Sequence, residues 1–98
     1  MSIEEESFWN AVDDFIESAN QKSEDMTPSG AASAMMQATA RYTAFYLAGS
    51  AESRKDLKED KDDLIQDVSR EFKRIFAENL EDYIENYKVY LKQDEVES

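Results

Sequence analysis

Few residue types in this sequence could carry out chemistry. It contains neither His nor Cys, which excludes catalytic triads, thiolate nucleophiles and the usual zinc and iron–sulfur sites. It also has no glycine-rich phosphate-binding loop. The remaining candidates for acid–base work are Glu78, Glu81, Asp82 and Glu85, whose spacing is typical of the solvated face of a helix. We therefore predict no enzymatic activity, no catalytic residue and no cofactor.

The 23 acidic residues raise the question of a metal site. A calcium-binding EF-hand loop needs a central Gly, and the acidic segment 56–67 has none. Di-iron sites in helical bundles need Glu-x-x-His motifs, which a chain without His cannot form. The remaining acidic cluster, Asp60, Asp62 and Asp63, has the character of a solvated helical face. We predict no metal site.

One basic residue stands out because its surroundings are uncharged. Arg41 is the only charged residue between Ser29 and Ala51, in a chain that is 35% charged. It could bind an anion or a partner together with Tyr42 and Tyr46, since guanidinium groups hold carboxylates and phosphates in two-point contacts. It could instead form an ion pair with a carboxylate of the first or third helix, an interpretation that the many acidic residues favour. Both interpretations stay open.

The residues that could position these groups have helical periodicity. Two Gly and one Pro supply little turn material, which disfavours a protein made of strands and turns. Apolar residues at spacings of one, three and four predict a first helix over 3–21, and Ser2 with Glu5 fits a capping box. This helix carries an apolar stripe of Phe8, Trp9, Val12, Phe15, Ile16 and Ala19.

A second helix is predicted over 28–48, with Thr27 as its cap and Pro28 in its first turn. It is rich in Ala and has little polar surface on any side, which is typical of a buried helix with neighbours on several sides. Polar residues interrupt it before it reaches the ~18 apolar residues of a membrane span. We therefore predict that it is the central helix of a soluble protein.

A third helical pattern runs from 54 to 92 without Gly or Pro, and Ser53 is suited to cap it. At ~1.5 Å per residue this helix would be about twice as long as the other two. It is therefore expected to bend or to split into a fourth helix near Asn79. If it overhangs the others, its apolar stripe would be exposed and would need a second chain. This possible interface consists of Tyr83, Ile84, Tyr87 and Leu91.

The fold class expected from these patterns is all-α, a small bundle of three long helices in a single domain over 1–98, with a disordered tail at 93–98. The net charge of −12 disfavours nucleic acids and anionic membranes as partners. The acidic N-terminus lacks the features of a secretory signal, so we expect a cytoplasmic protein.

Three blocks of the sequence resemble a known family. They are FWNAVDDFIESANQ at 8–21, ATARYTAFYLAGSAES at 38–53 and FAENLEDYIENY at 76–87. The chain is similar over most of 8–90 to a family of short acidic proteobacterial proteins, which is catalogued only as a domain of unknown function. The resemblance implies a small, all-helical, cytoplasmic bacterial protein. It implies no activity, cofactor or catalytic residue.

The function predicted from the sequence is that of a non-enzymatic module for protein interaction or self-association. Its partner would be another protein or a second copy in a homodimer. One alternative is a protein that binds a small anion in a pocket beside Arg41. A further alternative is an acidic mimic that occupies a basic, nucleic-acid-binding surface of another protein.

Overall fold

The computed structural model describes residues 2–91, and helices joined by short turns make up this part of the chain. No strand occurs within these residues, so the predicted all-α class with three long helices is confirmed. The helices are α1 (Ile3–Lys22), α2 (Pro28–Ser50), α3 (Arg54–Glu85) and the short α4 (Tyr87–Tyr90).

The first helix begins at the predicted capping box. The backbone N–H of Glu5 donates to the Ser2 hydroxyl at 3.0 Å, and the Ser2 N–H donates back to the Glu5 carboxylate at 3.0 Å. These bonds satisfy two backbone donors that have no partner within the helix. The start of α1 is therefore determined by interactions three residues apart in the sequence.

The starts of α2 and α3 follow the same principle. The hydroxyl of Thr27 accepts from the Gly30 N–H at 3.0 Å, and Pro28 occupies the first turn. The hydroxyl of Ser53 accepts from the Asp56 N–H at 3.1 Å. Both predicted caps are confirmed.

The chain divides into two compact units, Met1–Ala51 and Glu52–Ser98. The first unit contains α1 and α2, and the second contains α3 and α4. The expectation of a single domain over 1–98 stays a prediction, and the expected tail at 93–98 lies outside the described residues.

In the first unit, α1 packs against α2. Ala31 of α2 is 6% exposed and is the one buried residue among residues 2–91. Half-buried side chains mark the side of each helix that faces the other. They are Val12 and Ala19 on α1, and Met35, Thr43 and Leu47 on α2. On α2 these residues and Ala31 are spaced by multiples of four, which is the ridge that helices commonly use for packing.

The second unit contains one long helix whose apolar row has little cover. Leu57 and Leu64 are half-buried, whereas the large apolar side chains from Ile65 onward are exposed. At ~1.5 Å per residue, the 32 residues of α3 extend over about 48 Å. The apolar side of this helix is therefore available for contact along most of its length.

The predicted division of the third helix is present, but it lies at Asn86 and not near Asn79. Asn79 stays within α3 because its side-chain N–H donates to the Ile75 carbonyl, one turn earlier, at 2.9 Å. Asn86 leaves the helical conformation, with φ −114° and ψ 34°. The predicted helix end at 92 is accordingly replaced by the end of α3 at Glu85 and the separate α4.

The Ser53 cap provides a test of how α3 is stabilised. Ser53→Ala removes the acceptor for the Asp56 N–H, and we expect it to destabilise α3 by ~1 kcal/mol. Urea unfolding followed by circular dichroism would measure the change. The control is Ser69→Ala in the exposed middle of α3, where Ala is the better helix former. Equal effects of the two substitutions would contradict the role of the cap.

Candidate functional site

The predicted interface residues lie together at the end of α3 and along α4. Tyr83 and Ile84 belong to the last turns of α3, Tyr87 begins α4, and Leu91 follows it. All four are exposed, from 45% for Tyr83 to 66% for Ile84. We call these four residues the α3–α4 stripe. Their exposure leaves them open to contact, and their role as an interface stays a prediction.

Apolar surface continues from this stripe toward the middle of α3. Phe72 and Phe76 lie one turn apart with ring centroids separated by 6.0 Å and ring planes at 5°. Ile75 and Leu80 on the same helix are also exposed. The stripe is thus the end of a longer apolar row rather than an isolated patch.

A hydrogen-bonded cluster around Asp82 joins α4 to α3. The carboxylate of Asp82 accepts from the Asn86 side-chain amide at 2.8 Å and from the Tyr90 hydroxyl at 2.8 Å. The Asn86 amide also donates to the Asp82 carbonyl at 3.2 Å. The rings of Tyr83 and Tyr90 lie 4.6 Å apart. We call Asp82, Asn86 and Tyr90 the Asp82 clasp.

Sequence reasoning did not find this clasp. The sequence pattern places Asp82 on a solvated face and does not include Tyr90 in the predicted interface. The spacing of Asp82 and Asn86, four residues apart, was a signal of a side-chain pair on one helical face. The bond between Asp82 and Tyr90 spans eight residues and depends on the break at Asn86, which the sequence pattern did not place.

The clasp changes the acidity of the Tyr90 phenol. The hydrogen bond to Asp82 is the main cause that raises the pKa of Tyr90, and the negative charge of that carboxylate raises it further. Both effects favour the protonated phenol, which alone can donate to the carboxylate. The clasp is therefore intact at neutral pH and is lost as the pH rises through the pKa of Tyr90 in the folded protein.

Of the carboxylates considered for acid–base work, Glu78 belongs to an exposed ion-pair network on α3. Arg74 contacts Glu71 at 2.7 Å and Glu78 at 3.0 Å, one turn away on either side. The hydrogen bond from Arg74 lowers the pKa of Glu71, and the positive charge adds to this effect. Because these groups are exposed, the pairs stabilise the helix only slightly. Among residues 2–91, no group of three or more acidic side chains is placed to hold a metal ion.

Arg41 and the two residues predicted to act with it, Tyr42 and Tyr46, lie on two adjacent rows of α2. Tyr42 and Tyr46 are one turn apart, as are Arg41 and Phe45. Tyr42 is 73% and Tyr46 63% exposed, and Arg41 is also exposed. No ion pair of Arg41 occurs within the described residues of its unit. The predicted pairing with a carboxylate is thus absent from residues 2–51, and the guanidinium faces solvent there.

The clasp predicts a specific response of Tyr90 to mutation. Asp82→Asn removes the negative acceptor, so we expect the pKa of Tyr90 to fall toward its ordinary value, measured from the pH dependence of its ring NMR signals. Glu81→Gln is the matched control, since it removes a neighbouring charge that makes no hydrogen bond to Tyr90. Equal shifts in the two variants would show that general charge, and not the clasp, sets this pKa.

Comparisons with known proteins define the family and no more than that. Within the described residues, no helix is long and apolar enough to span a membrane. Neither the curated proteins nor the solved structures include a match to the chain. The profile of a family described as "Protein of unknown function (DUF3144)" matches residues 8–84. This range contains most of the three blocks that carried the resemblance. The chain belongs to the DUF3144 family.

Proposed function

We propose that this protein is a non-enzymatic interaction module that associates with a second copy of itself through the α3–α4 stripe. The observation that carries the proposal is the exposure of all four stripe residues at the end of a long apolar row. Burial of apolar surface yields about 25 cal/mol per Å². A second chain laid along this row would therefore gain stability from every turn that it covers.

The length of α3 supports the same proposal. Most of the stability of a helix in a protein comes from packing of its apolar face, because formation of the first turn is unfavourable. Within the second unit, α4 is the only other helix among the described residues, and it contains four residues. It is too short to cover the apolar row of a 32-residue helix. A partner helix would supply the missing cover.

The Asp82 clasp adds rigidity to the proposed interface. Its bonds from Asn86 and Tyr90 fix α4, which begins at Tyr87 and is followed by Leu91, against the end of α3. A surface that is ordered before binding loses less conformational entropy on association than a flexible one. The clasp thus favours association by ordering this surface before binding.

Composition supports the remaining parts of the proposal. A chain without His or Cys lacks the commonest catalytic groups, so the proposed role is binding and not catalysis. The net charge of −12 disfavours nucleic acid and anionic membrane surfaces as partners and leaves a protein as the proposed partner. The cytoplasm is the compartment that fits a chain of this composition.

A second candidate function is the binding of a small anion beside Arg41. The observation that favours it is the exposed guanidinium with no ion pair in the described part of the first unit. This candidate predicts that an anionic metabolite raises the melting temperature of the protein and that Arg41→Met abolishes the rise. A metabolite screen by thermal shift would test it, and unchanged melting throughout would contradict it.

Sedimentation velocity tests the proposed self-association. We expect the wild-type protein to sediment as a species larger than the 11.3 kDa chain at high micromolar concentration. The double variant Ile84→Ser, Tyr87→Ser should sediment as a monomer, since it removes two apolar side chains from the centre of the stripe.

The control is Val89→Ser, which removes an exposed apolar residue of α4 that is not part of the stripe. This variant should associate as the wild type does. A monomeric wild-type protein at high micromolar concentration would contradict the proposal, as would equal loss of association in both variants.

A further inference from the structure

The first unit has a second open surface, on the side of α2 that α1 leaves free. The half-buried residues Met35, Thr43 and Leu47 mark the side that faces α1. Tyr42, Phe45 and Tyr46 are all more than 60% exposed, and the rings of Tyr42 and Phe45 lie 6.4 Å apart. We call Arg41, Tyr42, Phe45 and Tyr46 the α2 face. It presents three aromatic rings and one positive charge.

The chemistry of this face limits what can cover it. Arg41 is the only charged residue of α2, and it has no ion pair within residues 2–51. A partner that buries the neighbouring rings also removes water from the guanidinium, and a buried charge without a counter-charge is costly. The partner must therefore bring an anion together with its apolar surface. A lysine or arginine in the same position would be repelled.

The shape of α2 indicates that the apolar surface belongs to a helix. Ala34 and Ala38 precede the aromatic residues on the same side of α2 and leave its backbone close to the surface. At Gly49 an added Cβ would meet no atom within 4 Å. A long, thin helix with small residues before and after its rings allows the ridge of a second helix to approach closely. A free phosphate or acetate would leave the three rings uncovered.

We propose that the α2 face docks an amphipathic helix of a partner protein, with a Glu or Asp at the edge of its apolar row. The carboxylate of that residue accepts two hydrogen bonds from the Arg41 guanidinium, and the apolar row covers Tyr42, Phe45 and Tyr46. This surface lies in the first unit. The proposal does not depend on self-association through the α3–α4 stripe.

The test uses two synthetic amphipathic helices of Leu, Ala and Gln that differ at one position. One carries Glu at the edge of its apolar row and the other carries Gln there. Each is titrated into the full chain while the NMR signals of the Arg41 side chain and of the α2 rings are followed. We expect both sets of signals to shift, and the Glu helix to bind about tenfold more tightly, as a charge-assisted hydrogen bond would give.

Arg41→Gln should abolish the preference for the Glu helix while leaving the weaker binding of the Gln helix unchanged. Arg74→Gln is the matched control, because it removes the same charge from an exposed Arg of α3. The preference should survive in this control. Circular dichroism melting of each variant establishes that both are folded.

Three results would overturn the proposal. They are equal affinity of the wild type for the two helices, a preference that persists in Arg41→Gln, and no binding of either helix. In the last case the face is covered by something other than such a partner. If sodium acetate or inorganic phosphate shifts the Arg41 signals as strongly as the Glu helix does, the site binds free anions and the helix proposal is also overturned. These results leave the proposed self-association untouched, because sedimentation of the α3–α4 stripe variants tests it separately.

Discussion

The exposed apolar row of α3 is the physical constraint on which the interpretation of this protein depends. A long helix with apolar residues on one side gains most of its stability by burying that side. In the second unit the row runs from Ile65 to Leu91 with little cover, and it ends in the α3–α4 stripe. Contact with further apolar surface is therefore the event that this row favours most strongly, which is why binding and not catalysis is the function proposed.

The Asp82 clasp shows how a polar cluster can support an apolar surface. Asn86 interrupts the helix, because its backbone angles are not helical. A break near the end of a helix would ordinarily let the last turn fray. The bonds from Asn86 and Tyr90 to the Asp82 carboxylate hold that turn in place. Because the bonded groups are exposed, each bond contributes little to overall stability. Their contribution is to local order at the point where the stripe crosses from α3 to α4.

Charge is distributed so that the two open surfaces of the molecule differ. The end of α3 is acidic, with Glu78, Glu81, Asp82 and Glu85 and no basic residue among 78–85. The α2 face instead has a single positive charge, Arg41. The two surfaces therefore differ in local charge, although both expose aromatic rings. The net charge of −12 describes the chain as a whole and hides this difference.

Much of the helical structure could be predicted because it depends on residues close together in the sequence. The caps at Ser2, Thr27 and Ser53 each act over three residues, and the periodic spacing of the apolar residues indicates where the helices lie. The family was also recognisable from three blocks of sequence. The position of the break was not, since Asn79 and Asn86 are the same residue type and both bond to a carbonyl one turn earlier.

The sequence by itself determined the all-α class, the starts of the long helices and the isolation of Arg41 as the one charge of α2. The tertiary structure decided which side of α2 stays open, because that depends on where α1 packs. It also decided that Tyr90 reaches Asp82, because a bond across eight residues forms only once the backbone angles at Asn86 are fixed. Local patterns specify helices, whereas the packing of α1 on α2 joins segments distant in the sequence and the clasp depends on backbone angles that no local pattern specified.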